Sequence, residues 1–265
     1  MQCACCSRKR GIEASGGVLK MNLPILKIEH KCPECGLQKD GFFCCVSDDS
    51  LDLFQVTKIT NTYPAGSMLF IEGQPANGVY ILCQGSLKLY TCSQDGKVVI
   101  LHIAKPGEIL GLSAIVAGGE YEVSAEVLEP CQINFVRRKE FLDLIEKRSD
   151  VAMRAVEHLS QQYYDAYDQI RSFGLTNSVA GKLAALMLSW CRDTGNGYGA
   201  VRLKLPFTHE EIAEMIGTSR ETVTRLLKDF RQDELITLKG SDLLIHDPER
   251  LRSVVTRPRG SRARS

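Results

Sequence analysis

The stretch Thr208-His-Glu-Glu-Ile-Ala-Glu-Met-Ile-Gly217-Thr-Ser-Arg-Glu-Thr-Val-Thr-Arg-Leu-Leu-Lys-Asp-Phe230 reads as two short helices joined by a tight turn. Thr208 with Glu211, and Thr218 with Glu221, each fit the Ser/Thr-x-x-Glu capping box that starts a helix. Gly217 stands between them, where a left-handed glycine ends the first helix and permits a sharp turn. Ile212, Met215 and Ile216 give the first helix a buried side, and Val223, Leu226, Leu227 and Phe230 do the same for the second. Arg220, Glu221, Thr224, Arg225 and Lys228 remain on the opposite face. Charges opposite an apolar stripe are ordinarily just a solvated face. Here Arg is paired with Glu and Thr, and Arg can donate bidentately to guanine while Glu accepts from cytosine. The expectation is a helix-turn-helix whose second helix presents Ser219, Arg220, Glu221, Thr224 and Arg225 to double-stranded DNA.

Outward from this stretch, Leu235 to His246 alternates around Lys239-Gly240-Ser241, which predicts a β-hairpin and so a winged helix. Upstream, short apolar runs are broken by glycine: Ser67–Ile71, Gly78–Leu82, Ser86–Tyr90 and Val98–Ile103, with turn signals at 64–66, 72–75, Gln84-Gly85, 94–96 and 106–107. This spacing predicts an antiparallel barrel or roll. From about 150 to 172, Val156, Leu159, Tyr163, Ala166, Ile170 and Phe173 repeat in steps of three and four. That is the seam of a parallel dimer helix, although a helix packed along its own domain shows the same stripe. A further amphipathic helix is expected over about 178–192. The predicted α+β chain therefore divides into a cysteine-rich segment (1–49), a β-roll (50–148), a dimerisation helix (149–174), a winged helix (175–256) and a basic, disordered tail (257–265).

The net charge of +1 does not announce a nucleic-acid binder, and between 200 and 249 acids outnumber bases ten to seven. The DNA expectation thus rests on where the charges sit. From Arg250 onward there are six arginines and no acid, a solvated tail with room for phosphate contacts. No run is long and apolar enough for a transmembrane helix, and a cytoplasmic location is expected. No nucleophile-base pair or phosphate loop suggests an enzyme.

Seven of the eleven cysteines fall within the first 45 residues: Cys3, Cys5, Cys6, Cys32, Cys35, Cys44 and Cys45. Cys32, Cys35 and Cys44 form a C-x2-C-x8-C trio, with His30 close by. A C-x-x-C with a nearby Cys and His30 suits structural zinc, and free redox thiols are the other reading. Cys83, Cys92 and Cys191 lie in apolar surroundings and read as inert core residues.

Barrel, long helix and winged helix together resemble the Crp/Fnr family of transcription regulators. The resemblance is strongest in Ser219-Arg-Glu-Thr-Val-Thr-Arg-Leu-Leu227, Pro64-x-Gly-x-x-Leu-Phe-x-x-Gly73 and Val79-Tyr-x-Leu-x-x-Gly85. It implies a cyclic-nucleotide-binding-like roll, a homodimer on a pseudo-palindromic operator, and contact with RNA polymerase. Arg220, Glu221 and Arg225 resemble the base-reading trio of the cyclic-AMP branch, which implies TGTGA-like half-sites. The cyclic-AMP phosphate cassette, however, would place glutamate at Leu112 and arginine at Val123. Without that guanidinium the ligand loses its main charge-assisted bonds, which argues against cyclic AMP. In its cysteines the chain looks more like the fumarate-nitrate regulator branch. That likeness implies a 4Fe-4S cluster held by Cys32, Cys35, Cys44 and, from the barrel, Cys131, with oxygen or nitric oxide as the signal. Zinc, and an unidentified small effector in the barrel, stay open beside it, as does Cys45 in place of Cys44. Asp165 and Asp168 fall off the helix seam, so both switched and permanent dimers stay open.

Overall fold

In the computed structural model, residues 41–175, 178–193, 200–205 and 207–256 are described, with backbone alone at 168, 169, 171–175, 192, 193, 204 and 256. Cys3, Cys5, Cys6, His30, Cys32, Cys35 and the basic tail lie outside the described residues. Two compact units meet within one long helix, between Gln162 and Tyr163.

The first unit is a six-stranded antiparallel sheet curled around an apolar core. Strands β1 (Ile59–Tyr63), β6 (Ser124–Arg137), β3 (Gly78–Cys92) and β4 (Val98–Ala104) lie side by side in that order. β2 (Met68–Phe70) pairs with β6, and β5 (Ile109–Leu110) with β3. The expected turn at Gln84-Gly85 is absent. β3 runs straight through it as one 15-residue strand, with register shifts between Leu82 and Leu87. Gly85 is needed here for close approach of the chains. Its φ is +88°, and a Cβ would fall 2.5 Å from the Pro130 carbonyl and 2.8 Å from Cys131 Sγ. A glycine inside a strand therefore marks a bulge pressed against β6.

Helices that periodicity did not reveal close this unit: α1 (Asp48–Thr57), α2 (Leu112–Ala117) and α3 (Arg138–Lys147). The end of the cysteine-rich segment folds with them as a 3-10 turn, Phe42–Cys45. Phe43 stacks on Phe54 at 3.8 Å, and Phe42 N–H donates to the Gly107 carbonyl, so two adjacent aromatics anchor the segment in the barrel core. The long helix α4 (Ser149–Leu175) starts beside this anchor. Its Asp150 carboxylate accepts from Ser47 N–H, Ser47 Oγ and Ser50 Oγ at 2.8–2.9 Å. The Ser47 amide, more than the hydroxyls, holds the Asp150 carboxyl down to about 2.

The second unit contains α5 (Val179–Asp193), β7 (Val201–Lys204), α6 (His209–Ile216), α7 (Arg220–Gln232), β8 (Ile236–Lys239), β9 (Asp242–Ile245) and α8 (Pro248–Thr256). The expected hairpin is β8–β9, and β7, not foreseen, pairs with β9 as a third strand. Leu183, Met187, Ile212, Val223, Leu243 and Leu251 are fully buried and pack from several elements into its core.

Candidate nucleic-acid interface

The two helices of the opening stretch are set by their caps. At α6 both halves of the capping box form: Thr208 N–H donates to Glu211 Oε2 at 2.7 Å, and Glu211 N–H to Thr208 Oγ1 at 3.2 Å. Gly217 then turns left-handed, φ +67°, and both its amide and that of Thr218 close on the Ala213 carbonyl. This closure corrects one expectation. Thr218 belongs to the end of α6, and Ser219 caps α7, accepting from Thr222 N–H at 3.3 Å. The box at Thr218 and Glu221 is displaced by one residue because the backbone of Thr218 closes the preceding helix.

With Ser219 as the cap, Val223, Leu227 and Phe230 point into the core and Leu226 is half-buried. Ser219, Arg220, Glu221, Thr224, Arg225 and Lys228 are exposed together. All except Ser219 line an open groove of about 630 Å³, joined by His209, Leu227, Arg231 and Leu238. The Glu221 carboxyl lies below its ordinary range because it accepts from its own backbone amide at the helix start and from Ser219, with Arg220 adding its charge. An ionised Glu221 only accepts, which suits the exocyclic amine of cytosine; Arg220 and Arg225 only donate, which suits guanine. His209 and Arg231 were not legible as groove residues. They reach it from another helix and from a later turn, and no local spacing marks that.

The sensor unit has a different lining. Leu112 is 1% exposed and Val123 packs against the same core, so both positions offer hydrocarbon alone. Ser124, next to Val123, is buried and accepts from Glu72 N–H at 3.0 Å. Tyr121 stacks on Phe70 at 4.2 Å and donates its hydroxyl to the Gly78 carbonyl. Burial raises the phenols of Tyr121 and Tyr80 above the usual range. An anionic phosphate finds no guanidinium at the cassette position.

Of the four cysteines named for a cluster, Cys44 and Cys131 are described. Cys44 is half-buried beside the aromatic anchor and Cys45 is exposed. Cys131 is wholly buried, and its one S–H is shared between the Glu129 and Ser86 carbonyls, 3.0 and 3.4 Å from Sγ. Burial pushes this thiol up to about 11. Among the described residues no three His, Cys, Asp or Glu side chains converge as a metal site. Cys191 is buried as expected, whereas Cys83 and Cys92 are half-buried.

On α4, Val156, Tyr163, Ala166 and Ile170 are exposed. Leu159 instead packs against the barrel, and the Phe173 side chain lies outside the described set. Met153 and Tyr167 are exposed in its stead, which gives a stripe at 153, 156, 163, 167 and 170. No helix among the described residues is long and apolar enough to cross a membrane.

Comparison with known proteins agrees with this layout. Residues 60–148 match the cyclic nucleotide-binding domain, and residues 181–254 the Crp-like helix-turn-helix domain. The chain is 30% identical over 190 residues to the CRP-like cAMP-activated global transcriptional regulator of Mycobacterium tuberculosis, covering 71% of this chain and 84% of that protein. It is 26% identical over 200 residues to the cAMP-activated global transcriptional regulator CRP of Pasteurella multocida, covering 75% and 95%. The structure of FixK2 from Bradyrhizobium japonicum shares the fold with a TM-score of 0.65 at 20% identity, over 74% of this chain and 96% of that one.

Proposed function

Because the chain belongs to the Crp/Fnr family of transcriptional regulators, we propose that it binds a pseudo-palindromic operator as a homodimer and engages RNA polymerase there. Its domains and relatives are those of a DNA-binding regulator and not of an enzyme. The observation that carries the operator proposal is the exposed, capped face of Arg220, Glu221, Thr224 and Arg225. The apolar stripe on α4 supplies a surface for the second copy, and two-fold symmetry then requires half-sites about one helical turn apart. TGTGA-like half-sites match the donors and acceptors on α7. The test is fluorescence anisotropy with a labelled TGTGA palindrome against a scrambled duplex. Equal, salt-limited binding to both would overturn sequence-specific reading.

The Mycobacterium tuberculosis and Pasteurella multocida relatives are cAMP-activated, but Leu112 and Val123 support a different signal for this chain. Calorimetric titration with cyclic AMP is expected to show no heat of binding. The signal proposed in place of cyclic AMP is an iron-sulfur group on Cys32, Cys35, Cys44 and Cys131, with structural zinc as the alternative. The donors are chemically right, since soft thiolates hold such clusters, and an oxygen- or nitric-oxide-labile cluster would supply the redox response. Cys44 fits this role as a half-buried thiol fixed by Phe42 and Phe43. Cys131 does not fit as it stands, because ligation requires it to lose its proton and both carbonyl bonds. Anaerobic purification with a visible spectrum and iron, sulfide and zinc analysis decides between the possibilities. A colourless zinc protein would end the cluster reading in favour of structural zinc.

A further inference from the structure

The one proton of the Thr224 hydroxyl is engaged inside the protein although the residue is exposed in the groove. Its Oγ1 donates to the Arg220 carbonyl one turn back, at 2.9 Å. His209 Nδ1, from the first turn of α6, lies at 2.9 Å from the same oxygen. A threonine hydroxyl has one proton. Giving that proton to Nδ1 would set an oxygen lone pair against the Arg220 carbonyl, so the proton goes to the carbonyl and Nδ1–H donates to Oγ1. The bond to the carbonyl four residues back, together with β-branching, holds the side chain in one rotamer. With its proton given to the carbonyl and one lone pair taken by Nδ1–H, Thr224 has no donor to give a ligand in the groove, and its γ-methyl is the group left for apolar contact.

We propose that Thr224 reads thymine through its methyl group and that His209 is the positioning residue that holds it in that orientation. Apolar contact is the way a side chain recognises the C5-methyl of thymine in the major groove. Arg220, Glu221 and Arg225, which surround Thr224 on the exposed face, carry the hydrogen-bonding part of the reading. The proposal rests on the operator reading above and adds a residue from α6 to it. It also separates Thr224 from a serine at the same place, which would back-bond identically but present no methyl.

The experiment compares a palindrome of TGTGA half-sites with the same duplex in which every thymine is deoxyuridine, which removes only the methyls. The wild-type protein is expected to bind the thymine duplex about 15-fold more tightly, about fourfold for each of two buried methyl-sized groups, one per half-site. Thr224→Ser should bring that ratio to about one, while Thr224→Val, which keeps a methyl without the hydroxyl, should retain a preference. His209→Ala should lower the ratio without changing the melting temperature, and His209→Asn, whose amide N–H can replace Nδ1–H, should restore it. Single thymine replacements then locate one position per half-site. A Thr224→Ser protein with the full wild-type ratio, or a wild-type protein indifferent to deoxyuridine, overturns the proposal. Failure to bind the thymine duplex at all overturns the operator reading itself, and the two failures are separately visible.

Discussion

The turn before the recognition helix and the turn before α2 in the barrel use the same local device and end in opposite chemistry. In each a left-handed glycine, Gly217 at φ +67° or Gly111 at φ +78°, precedes a helix. After Gly217 the chain exposes Arg220, Glu221 and Arg225 to a groove. At Gly111 it buries Leu112 and Ile115, and the Tyr121 ring lies 2.7 Å from where a glycine Cβ would be. The backbone turn positions a helix start; the side chains placed there decide whether it meets a ligand or a core. In this chain the recognition helix presents charged side chains, whereas the two cassette positions at Leu112 and Val123 hold hydrocarbon. Operator and signal are therefore separate problems, and neither follows from the other.

The largest expected effect tests the barrel side of this contrast. Leu112→Ala should destabilise the sensor unit by about 2–5 kcal/mol in denaturant unfolding, as for other fully buried leucines. A change below about 0.5 kcal/mol would mean that Leu112 borders a cavity open to ligand and not a packed core. Next comes the DNA side. Arg225→Ala should weaken operator binding by about 1–3 kcal/mol and relax preference at one guanine, read by anisotropy across operator variants. The same loss on every variant would reduce Arg225 to a phosphate contact. The cap assignment follows: Ser219→Ala should cost about 1 kcal/mol of stability. Thr218→Ala should cost less, and the reverse order would restore the cap to Thr218.

The smallest effect concerns the contact between α4 and the aromatic anchor. Asp150 has its folded pKa lowered to about 2 from 3.8, so its contribution to stability is complete above the ordinary value and disappears as pH falls towards 2. Because solvent screens the site, that contribution should be under about 1 kcal/mol. Thermal melts of the wild type and Asp150→Asn should differ at neutral pH and converge near pH 2. A difference that persists there would come from packing and not from the charge.

Much of the second unit was legible because its signals are local. Capping boxes, a glycine stop and three-to-four spacing act within one or two turns, so Thr208, Gly217 and the face of α7 are found from neighbours in sequence. The miss at Thr218 was one residue, caused by the backbone closure of α6 on Ala213. The first unit was less transparent. Gly85 reads as a turn until β6 is seen pressed against it, and α1 and α3 are short amphipathic helices among strands. On α4 the spacing of Leu159 fits a dimer seam as well as the barrel contact it makes.

The sequence by itself determined the winged helix, its polar reading face and the apolar character of the cassette, since each depends on residue type and spacing of a few positions. Tertiary structure alone decided that β3 is continuous and that Cys131 is a buried thiol within hydrogen-bond reach of the carbonyl of Ser86, 45 residues away. It alone decided which residues of α4 stay exposed, and that His209 reaches the Thr224 hydroxyl. The physical reason is range. Caps and turns are hydrogen bonds between near neighbours, whereas burial, strand register and the orientation of a hydroxyl are set by atoms that only the folded chain brings together.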